Sequence, residues 1–211
     1  MPSSAPRTRP DTAFEDAARR AGAQTVAGVD EVGRGPWAGP VVACAVAFRE
    51  APPPGLDDSK RLSAIRRDAL RPLIEAVAEV GYGAAEVAEI DSLGIRRATH
   101  LAMRRAVAAL PSPPDHLLID GNDRPDWVLG PHDLLVRGDS RSCSVAAASI
   151  LAKIRRDGGM MALAQQNPGY GWERNMGYGT AAHREGLKCH GVTPHHRRSF
   201  APIRKMLCQA P

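Results

Sequence analysis

The apolar positions of the chain change period along its length, and the change divides it into elements. Thr25-Val-Ala-Gly-Val-Asp30 and Val41-Val-Ala-Cys-Ala-Val-Ala-Phe48 are short, Val-rich and separated by a Gly/Pro turn, so both read as strands, the second a buried one. Ahead of them lie a polar, Pro-rich lead over residues 1 to about 10 and a short helix over Thr12 to Ala21. Ala51-Pro-Pro-Pro-Gly55 is a loop, and Ser63 is placed to cap a helix carrying Ile65, Ala69, Leu73, Val77 and Val80 on one stripe. Pro72 falls inside that stripe and predicts a kink or a split. A third strand is expected over Tyr82 to Val87 and a helix over Asp91 to Leu110, closed by Pro111-Ser-Pro-Pro114. Two short apolar runs follow, His116-Leu-Leu-Ile-Asp120 and Leu134-Leu-Val136, and then an Ala-rich helix from Ser144 to about Gln166, interrupted at Gly158-Gly159. Strands followed by alternating helices and strands predict an α/β domain with a mixed sheet.

The 211 residues fit one domain, or one domain with a short appendage. Lys and Arg number 28 against 23 Asp and Glu, a net charge of +5 that agrees with an anionic partner without requiring one. The four cysteines, at 44, 143, 189 and 208, form no C-x-x-C pair and read as free thiols in a reducing cytoplasm. The first ten residues lack the apolar core of a signal peptide, and no run of about 18 apolar residues occurs, so a soluble, cytoplasmic protein is expected.

The most informative residues are acids placed where acids are costly. Asp30 and Glu31 end the first strand, Asp120 ends Leu-Leu-Ile, and Asp139 follows Leu-Leu-Val-Arg-Gly just before the long helix. Any one of them could simply cap a strand or start a turn. Gathered together, they would repel one another by several kcal/mol unless protons or cations neutralise them. A hard divalent ion, Mg²⁺ or Mn²⁺, prefers such oxygen ligands, and two ions about 3.5–4 Å apart suit phosphodiester hydrolysis.

Gly33-Arg34-Gly35-Pro36-Trp37-Ala38 satisfies the spacing of a dinucleotide-binding loop, with Asp57 and Asp58 roughly twenty residues on. That motif needs a helix to begin inside it. Gly39-Pro40 and a β-branched run follow instead, so the turn reads better as glycines that let backbone amides approach a sugar or phosphate, with Arg34 adding charge.

Ala27-Gly-Val-Asp-Glu-Val-Gly-Arg-Gly-Pro-Trp-Ala-Gly-Pro-Val-Val-Ala43 resembles the opening signature of the type-2 ribonucleases H. Asp58-Ser-Lys-Arg-Leu-Ser63, Ile119-Asp-Gly-Asn122, Arg137-Gly-Asp139, Ala146-Ala-Ala-Ser-Ile-Leu-Ala-Lys153, Gly177-Tyr-Gly-Thr180 and His196-Arg-Arg-Ser-Phe200 continue the likeness in the family's order, over roughly residues 25 to 205. The resemblance implies a ribonuclease H-like mixed sheet flanked by helices over 25–166, preceded by the lead and short helix of 1–24 and followed by a helical C-terminal extension over 167–211. It implies that Asp30, Glu31, Asp120 and Asp139 hold catalytic Mn²⁺ or Mg²⁺, and that Gly33, Arg34 and Gly35 read the ribose 2′-hydroxyl through backbone groups. Tyr178 would pack on the neighbouring deoxyribose. The implied substrates are RNA/DNA hybrids and DNA duplexes with an embedded ribonucleotide, cut on its 5′ side by a monomer that leaves a 3′-hydroxyl and a 5′-phosphate.

Helical spacing sets Ser149, Lys153 and Asp157 on one face with Arg156 alongside, where Ser149 and Lys153 could meet a phosphate. Lys60 with Arg61 is either a phosphate contact or a solvated loop. His183, His195 and His196 have no zinc spacing and, with Arg197 and Arg198, read as a basic surface facing a duplex. The chain departs from the family at Asn175-Met176, where His-Lys is usual, at Trp37, and at Cys44 and Cys143. Lys205 to Pro211 shows no clamp-binding sequence of Gln, aliphatics and paired aromatics. Two other readings compete: the sister type-3 ribonuclease H, and a silent nucleic-acid-binding module. About 25 residues before the first strand, with Arg34 between the turn glycines, favour type 2; a binder gains nothing from acids facing phosphates.

Overall fold

The computed structural model describes residues 9–209; the expected lead over residues 1–8 lies outside them. The elements run α1 (Ala13–Arg20), β1 (Val26–Val32), β2 (Val41–Phe48), α2 (Ala64–Val77), β3 (Ala78–Ala85), α3 (Val87–Leu93), α4 (Ile95–Ala108), β4 (His116–Asp120), β5 (His132–Leu135), a 3₁₀ turn (Gly138–Ser140), α5 (Cys143–Gln166), α6 (Trp172–Asn175), α7 (Ala181–His190) and α8 (Ala201–Gln209). The strands form one mixed sheet in the order β3-β2-β1-β4-β5. The first three strands are antiparallel, whereas β4 and β5 lie parallel to β1.

Each face of the sheet is covered because its strands are apolar on both sides, as β2 shows by being buried along its whole length. On one face Ala27, Val29, Ala43 and Ala45 pack under Ala98, Ala102 and Ala106 of α4. On the other, Cys44 and Val46 meet Ala147, Ile150 and Leu151 of α5, together with Leu70 and Ile74 of α2. Helix α5 crosses β1 closely over Gly28, where an added Cβ would stand 2.6 Å from the Ser144 hydroxyl. A separate cluster of Met160, Tyr170, Trp172, Leu187 and Ile203 joins the far half of α5 to the C-terminal helices. Helix α1 is tied to the start of α5 through Glu15, which accepts from the Ser144 amide at 2.8 Å and from the Ser142 hydroxyl at 2.7 Å.

Four local expectations are corrected by tertiary structure. The predicted α2 stripe faces the wrong way: Leu70 and Ile74 are buried, while Ile65 is 84% and Leu73 50% exposed. Arg67 turns the helix, since its guanidinium donates to the carbonyls of Ser59 and Leu62 at 2.9 and 2.6 Å. Val80 belongs to β3, which follows α2 without a loop, and Pro72 sits in an unbroken helix on its exposed side. The helix expected over Asp91 to Leu110 is two helices, because Gly94 adopts φ +77°, outside the helical region. Conversely, α5 runs straight through Gly158-Gly159. Buried Arg156 and Met160 flank the pair and hold the helix against a cost of about 1 kcal/mol per glycine.

Candidate active site

Parallel pairing sets Ile119 beside Val29, so the next residue of β4, Asp120, comes level with Asp30 at the end of β1. Alternation along β1 sends Asp30 to the α5 side and Glu31 to the α4 side, yet at the strand end both still feel Asp120. Asp139 is delivered by the 3₁₀ turn after β5, and that turn is fixed by the Gly138 amide donating to Asp120 Oδ1 at 2.7 Å. Asp30 and Asp139 are 5% and 7% exposed.

Burial raises the pKa values of all four acids, and neighbouring acids add to the rise at Asp30, Glu31 and Asp139. Burial, then Glu31 and Asp120, pushes Asp30 well above the ordinary carboxylate range. Burial raises Glu31, with Arg34 opposing it through a 3.3 Å ion pair. Burial also raises Asp120, against the Gly138 amide and Lys60. Asp139 is pushed up to about 6 by burial and by Asp58 and Asp120. Lys60 faces the same cluster: burial works against its charge, but Asp58, Asp139, Asp30 and Asp120 outweigh burial and raise its pKa. Lys60, though exposed, is therefore near enough to the acids to feel their charge.

Two participants were missed in the sequence. Asp58 adds to the rise of the Asp139 pKa; its only signals were its place in the Asp58-Ser-Lys segment and a spacing that suited the wrong motif. Ser59, buried, contacts Ser149 at 2.9 Å, and Ser149 lies near enough to Asp30 to oppose the rise of its pKa. Ser149 is thus brought to the acids. Lys153 is not among the groups that reach them: its ammonium pairs with Asp157 at 2.7 Å, and Arg67 lies 3.8 Å from the same carboxylate.

Gly33-Arg34-Gly35 joins two antiparallel strands and no helix begins there, which leaves the dinucleotide motif without its phosphate-facing helix. Two buried guanidinium groups hold the turn from behind. Arg197 donates to the carbonyls of Gly33, Arg34, Gly39 and Pro40 at 2.6 to 3.2 Å. Arg156 donates to Ala38, Pro40 and Met176 at 3.0 to 3.2 Å. Gly33, at φ +97°, has no room for a side chain against Arg156. Tyr178 stands 48% exposed beside the turn, and a Cβ on Gly35 would lie 3.3 Å from its ring. The expected basic surface is corrected accordingly: Arg197, His183 and His196 are fully buried, and Arg198 alone of that arginine pair is exposed. Trp37, unexplained in the sequence, lies against Gly179 and passes its amide to the Gly177 carbonyl at 2.8 Å.

A concavity of about 590 Å³ lies at the opposite end of the sheet, between Thr25 and Phe48, and contains none of the four acids. A polymer that lies across a surface does not need an enclosed pocket, so the acids are the better guide. Among the described residues no group of three or more His, Cys, Asp or Glu side chains closes a cation cage. The donor set still fits a hard divalent ion: it is all oxygen, it is buried at Asp30 and Asp139 and half-buried at Glu31 and Asp120, and its negative charge is what a cation offsets. Such ions keep waters and take phosphate oxygens as further ligands.

A mixed sheet in this order, with acids at the ends of its central strands, defines the class as a ribonuclease H-like nuclease fold. The family model for ribonuclease HII matches residues 27–203, and the chain belongs to that family. It is 62% identical over 184 residues, covering 87% of this chain and 92% of the relative, to a ribonuclease HII of Jannaschia sp. (strain CCS1). The structure is similar to the crystal structure of ribonuclease H2 from Pyrococcus horikoshii OT3, with TM-score 0.73, 25% identity, and coverage of 87% of this chain and 97% of that one. A Bst ribonuclease HIII in complex with Mn²⁺ shares the fold at TM-score 0.69 and 21% identity, over 91% of this chain and 72% of that one. The chain is a ribonuclease H, a hydrolase that acts on nucleic acid, of a family that depends on a divalent metal. Family membership settles the choice against both the type-3 enzyme and the silent binder.

Proposed function

We propose that this ribonuclease HII cuts the RNA strand of RNA/DNA hybrids and cuts duplex DNA on the 5′ side of a single embedded ribonucleotide, leaving a 3′-hydroxyl and a 5′-phosphate. The observation that carries this reading is the cluster of acids, held above the ordinary carboxylate range chiefly by burial, standing next to a glycine turn and an exposed tyrosine. Asp30, Glu31, Asp120 and Asp139 hold Mn²⁺ or Mg²⁺; the Mn²⁺ bound by the ribonuclease HIII of the same fold supports that choice. When bound, two such ions polarise the phosphate and offset charge on the entering and departing oxygens.

The chain's own residues supply selection and position. Arg197 and Arg156 hold the turn in place through its carbonyls, and the amides of Gly33, Arg34 and Gly35 meet a ribose 2′-hydroxyl. Tyr178 offers its ring to the next sugar. Lys60, drawn by four acids, is positioned to accompany a phosphate into the site, and Ser149 orients Asp30. Lys153, one helical turn beyond Ser149, would contact the strand only by leaving Asp157. The C-terminal extension, 167–211, acts in this reading as the recognition part of a monomeric, cytoplasmic repair enzyme.

The test is digestion of a labelled DNA duplex with one ribonucleotide, with and without chelator, mapped to the nucleotide. A single metal-dependent cut on the 5′ side of the ribonucleotide is expected. Cleavage on its 3′ side, or cleavage that survives chelation, refutes the reading.

A further inference from the structure

Behind Tyr178 lies a histidine pair that the chemistry does not use. His183 Nδ1 is 3.0 Å from the Tyr178 carbonyl, which can only accept, so Nδ1 carries the proton. His183 Nε2 accepts from the indole of Trp172 at 3.1 Å and lies 3.0 Å from His196 Nε2, which must therefore donate. His196 Nδ1 then accepts from the amide and hydroxyl of Thr193, at 3.0 and 2.9 Å. Every proton in the chain is assigned, and a charge on either ring would set two donors face to face. Burial keeps both rings neutral, lowering His183 and bringing His196 down to about 4. The residue after His196 is Arg197, which holds the glycine turn.

We propose that His183 and His196 are positioning residues for substrate selection: a neutral two-ring relay fixes the Tyr178 carbonyl while the adjoining Arg197 fixes the turn. Both halves of the recognition surface are thereby registered on one dipeptide, which sets the gap between Gly35 and the tyrosine ring. The inference rests on the reading of Tyr178 as the residue that selects a lone ribonucleotide.

The test compares kcat and KM on a single-ribonucleotide duplex and on a long RNA/DNA hybrid. His196→Leu should lower kcat/KM about tenfold on the first substrate, mainly through KM, and leave the second within about threefold. His196→Gln, which keeps a donor toward His183, should recover most of the loss. An equal fall on both substrates, or no fall, overturns the proposal. Tyr178→Ala separates the two readings: if it spares single-ribonucleotide cleavage, both fail, whereas if it abolishes that cleavage while His196→Leu leaves kcat/KM on that substrate unchanged, only the relay fails. Nitrogen-15 spectra of the wild-type protein near neutral pH test the relay without depending on how the variants fold. They should show His183 protonated on Nδ1 alone and His196 on Nε2 alone; the opposite tautomers, or a charged ring, overturn the relay.

Discussion

Around Asp30, Asp120 and Asp139 the fold buries carboxylates that repel one another, whereas behind the glycine turn it buries guanidinium groups whose donors meet carbonyl oxygens. Both regions hold charge away from water, and both need an explanation, because buried charge without a partner is costly. In the second region the explanation is complete within the chain: Arg197 reaches four carbonyls and Arg156 three. In the first it is not. Lys60 and Arg34 offset part of the charge, yet burial and the neighbouring carboxylates still hold the acids above their ordinary pKa values. A buried region satisfied by its own backbone is scaffold; one left with excess charge awaits something the chain does not contain.

Removing charge from each region should therefore have opposite signatures. Asp30→Asn or Asp120→Asn is expected to lower hydrolysis by about a thousandfold in Mg²⁺ or Mn²⁺, the loss of several kcal/mol of transition-state stabilisation. Activity near wild type in either variant would end the metal-ligand assignment. Arg197→Met should instead destabilise the fold by about 3 kcal/mol, because the turn carbonyls lose their donors, as read from urea denaturation.

A smaller effect has the reverse sign. Asp139 has a folded pKa of about 6, above the ordinary carboxylate value of 3.8. Its contribution is fully present below that ordinary value, where the carboxyl is protonated in both states, and is lost as pH rises through about 6. In chelator, Asp139→Asn should thus melt a few degrees above wild type at pH 7.5 and level with it near pH 3.5; a lower melting point at pH 7.5 would show the carboxylate to be structurally required. Smallest of all, Lys153→Met should cost under about 1 kcal/mol, as a partly exposed ion pair does, and leave KM within about threefold. A large rise in KM would return Lys153 to the substrate.

The acids and the turn were legible because strands are short and their ends are marked: Asp30, Asp120 and Asp139 each follow an apolar run, and position at a strand end survives packing. Sheet order placed them side by side, which no periodicity reveals. The α2 stripe failed because two faces of that helix carry aliphatic residues and the choice between them is made by Arg67, through carbonyls of the preceding loop. Arg197 and His196 read as surface charge because in sequence a buried cation satisfied by backbone oxygens looks the same as a solvated one. Asp58 was hidden for a related reason: it joins the acids from a loop, without an apolar run to announce it.

Glu15 gives the first helix a role beyond covering the sheet. Its carboxylate grips the opening turn of α5 across more than a hundred residues of intervening chain, and one of its oxygens, Oε2, has no partner. Ser149 sits only about 7–8 Å further along the same helix. The first helix is thereby anchored to the same helix that carries Ser149, so the opening of the chain and the acid-bearing end of the sheet share one rigid support.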